Sequence, residues 1–199
     1  MNYLAHAFLA RSSPEFLIGG LMGDFIKGAV PDTLSPAVRS GIVLHRRIDR
    51  FTDDHAILVD CRNLVSPQRR RYAGVMMDIF FDHFLARHWH FYTADPLEEF
   101  TAQVYEILYE HWNLLPPRLQ RVLPHMATHD WLGSYRHVDA IHDSINGISL
   151  NRLKRSNSLL HGADELEWNY SSFEISFHRF FPQLIEFVQS QSDAREQTG

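Results

Sequence analysis

The chain has 199 residues, 45% of them hydrophobic and 13% aromatic, which is enough for one well-cored domain. A formal net charge of -5 excludes the basic excess of a general nucleic-acid binder, and the single cysteine, Cys61, excludes an internal disulfide or a zinc–thiolate cluster. No uncharged apolar run could span a bilayer, and the apolar start around Leu4, Phe8 and Leu9 has no basic leader, so the reading is a cytoplasmic protein with no membrane partner.

Helix starts are legible. Ser13-Pro14, Ser35-Pro36, Ser66-Pro67 and Asp95-Pro96 each pair a capping side chain with a proline at the first helical position, where its missing N–H costs nothing. Asp95 is also followed by Glu98, close to a capping box. Helices are expected over 2–10, 14–22, 36–53, 55–64, 67–90, 96–113, 117–126, 138–148 and 163–189, with Pro182 kinking or breaking the last. Sustained alternation of β-branched residues is absent. The expected fold is all-α: a single helical domain over residues 1–188, followed by a polar, frayed tail over 189–199.

The first helix carries His6, an isolated imidazole on an apolar segment, a setting more often that of a hydrogen-bonded core residue than of a ligand. Asp24 follows Gly19, Gly20 and Gly23, and glycines beside an acid permit close backbone approach. The stretch from His45 to Asp53 then places His45, Asp49 and Asp53 four residues apart on one helical face. Leu44, Ile48 and Phe51 form a separate apolar stripe, and Arg46, Arg47 and Arg50 border the polar face. Imidazole and carboxylates suit a divalent metal, and guanidinium groups suit phosphate.

The helix around Val75–Leu85 is apolar almost all round, yet Asp78 and Asp82 sit four apart within it. Ionised carboxylates in such a setting need a cation, either a metal or an arginine such as Arg46 or Arg87; the third option is that one Asp is protonated. His83 could donate a proton or reach a phosphate, while His88 and His90 suit the helix C-terminus. His129-Asp130, in an expected loop, is set aside as a chance pair, and Asn146 is read as a local cap. Between Arg39 and Arg71 eight arginines face four aspartates, a basic patch suited to an acidic or phosphorylated partner. Neither a glycine-rich phosphate loop nor a Gly-x-Ser-x-Gly elbow occurs, which disfavours kinases, dehydrogenases and serine hydrolases.

Several blocks together resemble the acyl carrier protein phosphodiesterase family: Met1-Asn2-Tyr3-Leu4-Ala5-His6, Gly23-Asp24-Phe25 with Lys27-Gly28, Gly41-Ile42 through His45-Arg46-Arg47-Ile48-Asp49 to Thr52-Asp53, and Met77-Asp78 through Asp82-His83 to Trp89. The likeness continues through Trp131-Leu132, Tyr135-Arg136 and Asn146-Gly147. It implies an HD-domain-like helical bundle that hydrolyses the phosphodiester between 4'-phosphopantetheine and a serine of holo-acyl carrier protein, with Mn or Mg as cofactor. The pair Asp82-His83 reverses the usual HD order.

On that reading the metal is held by some of Asp24, His45, Asp49, Asp78 and Asp82. Arg46 or Arg47 offsets phosphoryl charge, and His83 or His6 protonates the departing serine oxygen. The remaining basic residues, Arg50, Arg87, Arg69, Arg70 and Arg71, meet the substrate, chiefly the acidic face of the carrier protein. Two other readings stay open: an HD-type phosphohydrolase of nucleotides or other small molecules, and a non-catalytic helical module that binds carrier proteins.

Overall fold

Two of the serine–proline pairs act as expected. In the computed structural model, which describes residues 1–153 and 157–196, Ser13 Oγ accepts Phe16 N–H and Ser35 Oγ accepts Val38 N–H, each at 3.3 Å. These caps open α2 (Pro14–Met22) and α3 (Pro36–Asp54), which follow the short α1 (Tyr3–Leu9). The chain continues through α4 (Ala56–Leu64), α5 (Ala73–Arg87), α6 (Leu97–Glu110), α7 (Pro117–Thr128), α8 (Trp131–Ser134), α9 (Val138–Arg152), α10 (Asp164–Trp168) and α11 (Tyr170–Glu196). Among the described residues there is no strand, so the fold is all-α. None of these helices is long and apolar enough to cross a membrane.

Helix α5 lies at the centre because its sequence leaves it no polar face to turn outward. Met76, Met77, Ile79, Phe80, Phe81, Phe84 and Leu85 are all buried. It packs against α1, α4, α9 and α11, and Phe81 and Phe84 meet Phe177 of α11.

Four local readings are corrected. The helix expected from residue 67 begins only at Ala73, because Ser66 does not cap it. The Ser66 N–H and hydroxyl instead donate to the buried carboxylate of Glu165, while Arg70 Nε donates to Val65 O at 3.0 Å, holding a turn. The expected helix over 163–189 is divided at Asn169, whose side chain donates to Glu165 O at 3.3 Å and closes α10. Helix α11 then passes Pro182 without interruption and runs seven residues beyond 189, to Glu196. Finally, Asp130, set aside in the sequence, adopts φ 40° and accepts Gly133 N–H at 3.2 Å, capping the unexpected α8.

The closest helix pair is α2 against α3. A Cβ added at Gly19 would lie 2.1 Å from Val38 O, and one at Gly41 would lie 2.2 Å from Phe16 O. Only two missing side chains allow these backbones to touch, and that contact sets the turn after α2 beside the middle of α3. Gly41→Ala is therefore expected to cost about 1–3 kcal/mol in chemical denaturation, as overpacking does. Gly74→Ala, with nothing within 4 Å of its added methyl, should be neutral or stabilising by up to about 1 kcal/mol.

Candidate metal centre

Three elements converge at His45. Helix α3 supplies His45 and Asp49 one turn apart, α1 supplies His6, and the turn after α2 supplies Asp24. His6 Nε2 lies 3.1 Å from Asp49 Oδ1, and His45 Nε2 lies 3.1 Å from Asp49 Oδ2 and 3.6 Å from Asp24 Oδ1. The two imidazoles stack with centroids 3.7 Å apart and planes 18° from parallel. Both histidines are buried, whereas Asp49 and Asp24 are 41% and 50% exposed at the side chain, so the carboxylate side opens to solvent.

The backbone fixes which ring edges face this site. His45 Nδ1–H donates to Gly20 O at 2.7 Å, which leaves Nε2 directed at the carboxylates. His6 Nδ1 is buried without a hydrogen-bond partner, so its Nε2 is the edge engaged at the site. Gly23 makes room for the arrangement, since a Cβ there would stand 2.2 Å from His45 Cγ.

Electrostatics fit a cation. Burial alone would lower the His45 pKa, yet hydrogen bonds and charge from Asp24 and Asp49 outweigh it and raise the value to about 9. Burial would raise the Asp49 carboxyl, but the two imidazoles hold it well below the usual carboxylate range. His6 falls to about 4, first through burial and then through the neighbouring charge of His45. A neutral imidazole at pH 7 offers a lone pair, which suits His6 to hold a metal ion. His6, His45 and Asp49 can each offer one ligand atom within 4.8 Å of the others, and Asp24 adjoins them.

Asp78 and Asp82 are engaged by the start of the chain, and Asp78 still feels the charge of Asp49. Asp82, fully buried, accepts the N–H groups of Asn2, Leu4 and Ala5 at 3.2, 2.8 and 3.2 Å, and so caps the N-terminus of α1. Asp78 Oδ1 takes the α-amino group of Met1 at 2.7 Å. The requirement for nearby positive charge was read correctly, but a chain terminus and a helix start supply it.

The Nδ1 of His83 meets Tyr135 O at 2.7 Å and its Nε2 meets Tyr170 Oη at 2.9 Å, so both ring nitrogens have partners. Arg46 Nη2 donates to Ile26 O at 2.8 Å, bracing the segment after Asp24. Arg47 and Arg50 are exposed on α3 and line a cleft of about 550 Å³ with Phe51, His55 and Phe187. Arg87 lines a different cleft of about 400 Å³ with Trp89, His90 and Arg136. Arg69 turns inward to Glu165 at 3.2 Å and to Ser158 O, and Arg70 is committed to Asn63 and Val65. Of that trio only Arg71, over the Tyr72 ring, is without an acidic or carbonyl partner here.

This helical scaffold gathers two imidazoles around a shared carboxylate, a group of side chains that could hold a metal ion. The chain belongs to the acyl carrier protein phosphodiesterase family, whose model matches residues 1–184. It is 35% identical to an acyl carrier protein phosphodiesterase of Serratia proteamaculans over 94% of this chain and 96% of the relative. Proteins of the same description from Klebsiella pneumoniae and Escherichia coli are each 34% identical, covering 96% and 94% of this chain and 99% and 96% of their own lengths. No solved structure matches.

The pKa of His83 falls to about 4, first because of burial, with Arg87 and His88 adding to the effect and Tyr135 O opposing it. A depressed folded value means stability that is present above the unfolded value near 6.5 and lost as pH falls toward 4. His83→Gln, whose amide can still donate to Tyr135 O, should lose less stability than the parent between pH 7 and pH 5 in denaturant titrations.

Proposed function

We propose that this protein hydrolyses the phosphodiester joining 4'-phosphopantetheine to a serine of holo-acyl carrier protein, releasing the apo carrier protein and free phosphopantetheine. The reaction is placed at His6, Asp24, His45 and Asp49 and depends on a divalent metal, Mn or Mg. The observation that carries the reading is Asp49 set 3.1 Å from both imidazoles, in a chain of this family. Membership supports the substrate, and the donor set supports the cofactor. When bound, such an ion lowers the pKa of water and polarises a phosphoryl oxygen.

The chain's own groups then divide the remaining work. Asp49 fixes the spacing of the two imidazole edges, and the Gly20 carbonyl fixes the His45 tautomer. Arg46, half-buried beside Asp24's turn, is the guanidinium placed to offset charge on the phosphoryl group. Arg47 and Arg50, exposed on the same helix, meet the acidic face of the carrier protein and steer its approach. Arg69 and Arg70 are withdrawn from that surface because their guanidinium groups are spent on the chain itself. The protein works in the cytoplasm, where its substrate is made.

The test is holo carrier protein incubated with enzyme and Mn, followed by mass measurement for loss of the phosphopantetheine arm. Chelator should abolish release, and added Mn or Mg should restore it. Asp49→Ala should slow turnover by at least about 100-fold, the worth of several kcal/mol of charge stabilisation. Gly23→Ala, which touches no substrate, should reduce it about 10- to 100-fold by displacing His45. Undiminished release by Asp49→Ala would remove the site assignment.

A further inference from the structure

We propose that His88, Glu174 and His178 form a second metal site, separate from the cluster at His45 and selective for transition metals of the Zn, Co or Ni kind. The three side chains offer ligand atoms within 4.8 Å of one another. His88 follows the last residue of α5, and Glu174 and His178 stand one turn apart on α11, so they project from the same face. His88 Nε2 lies 2.7 Å from Glu174 Oε1. The rings of His88 and His178 have centroids 4.6 Å apart and are inclined at 57°. Tyr92 Oη lies 3.5 Å from His178 Nδ1, a polar neighbour of the kind that orients a ligating imidazole.

Two imidazoles and one carboxylate make a three-donor set, with a coordination position left for water. With one carboxylate where the first cluster has two, such a set leans further toward borderline transition metals and away from Mg, which prefers an all-oxygen shell. No ligand is shared with the first site. Bound there, the ion would tie the end of α5 to the start of α11, next to the Tyr170–His83 hydrogen bond. It would bind the folded chain and not the unfolded one, so its effect reads out as added thermal stability.

The probe is Co2+, whose visible absorption reports coordination by nitrogen and oxygen. Asp49→Ala, lacking the first site's shared carboxylate, should still bind one Co2+ per chain, with a rise in Tm. The double variant Asp49→Ala with His178→Ala should bind at least tenfold more weakly and lose that rise. His178 is exposed, and circular dichroism of both variants confirms folding. Identical Co2+ titrations of the two variants, or no binding by Asp49→Ala, would overturn the proposal. With the first site intact, His178→Ala alone should keep its metal-dependent activity within about twofold of the parent, so the two sites are told apart.

Discussion

The buried carboxylate of Asp82 fixes the start of the helix that carries His6. Three N–H groups at the start of α1 converge on its two oxygens, at a helix end that would otherwise leave those donors unsatisfied in an apolar core. The cap fixes α1 against α5, and with it the depth and rotation at which His6 meets His45.

The second constraint is the contact of α2 with α3. Gly19 and Gly41 bring the backbones together, Gly20 turns its carbonyl to His45, and Gly23 leaves space for the ring. Asp24 then arrives 3.6 Å from His45 Nε2. Close packing of small residues thus does what a longer loop could not: it delivers a carboxylate to a fixed point beside a rigid helix.

Much of this was legible in the sequence. The serine–proline caps marked α2 and α3, the period of four joined His45 to Asp49, and the glycines flagged Asp24 as close to another backbone. His6 could be placed only by a contact between residues 43 apart, which no local pattern records. The partners of Asp78 and Asp82 were illegible for the same reason. Their need for positive charge is a local fact, but its source, a segment 77 to 80 residues earlier, is not. Ser66 and Arg69 likewise looked like a helix start and a surface charge until Glu165, nearly a hundred positions on, claimed both. The division of the last long helix turned on a single asparagine amide.

The reliance of α1 on α5 also sets an order of events during folding. Helices α2 and α3 adjoin in the chain, so their pairing closes only a short loop and can form early. His45, Asp49 and Asp24 thereby come together within the first 54 residues. His6 can approach them through the packing of α1 on α2, but the opening turn of α1 is capped only once Asp82 is present. A nascent chain that stops short of α5 carries all four members of the cluster, with α1 held by α2 alone and its first turn uncapped.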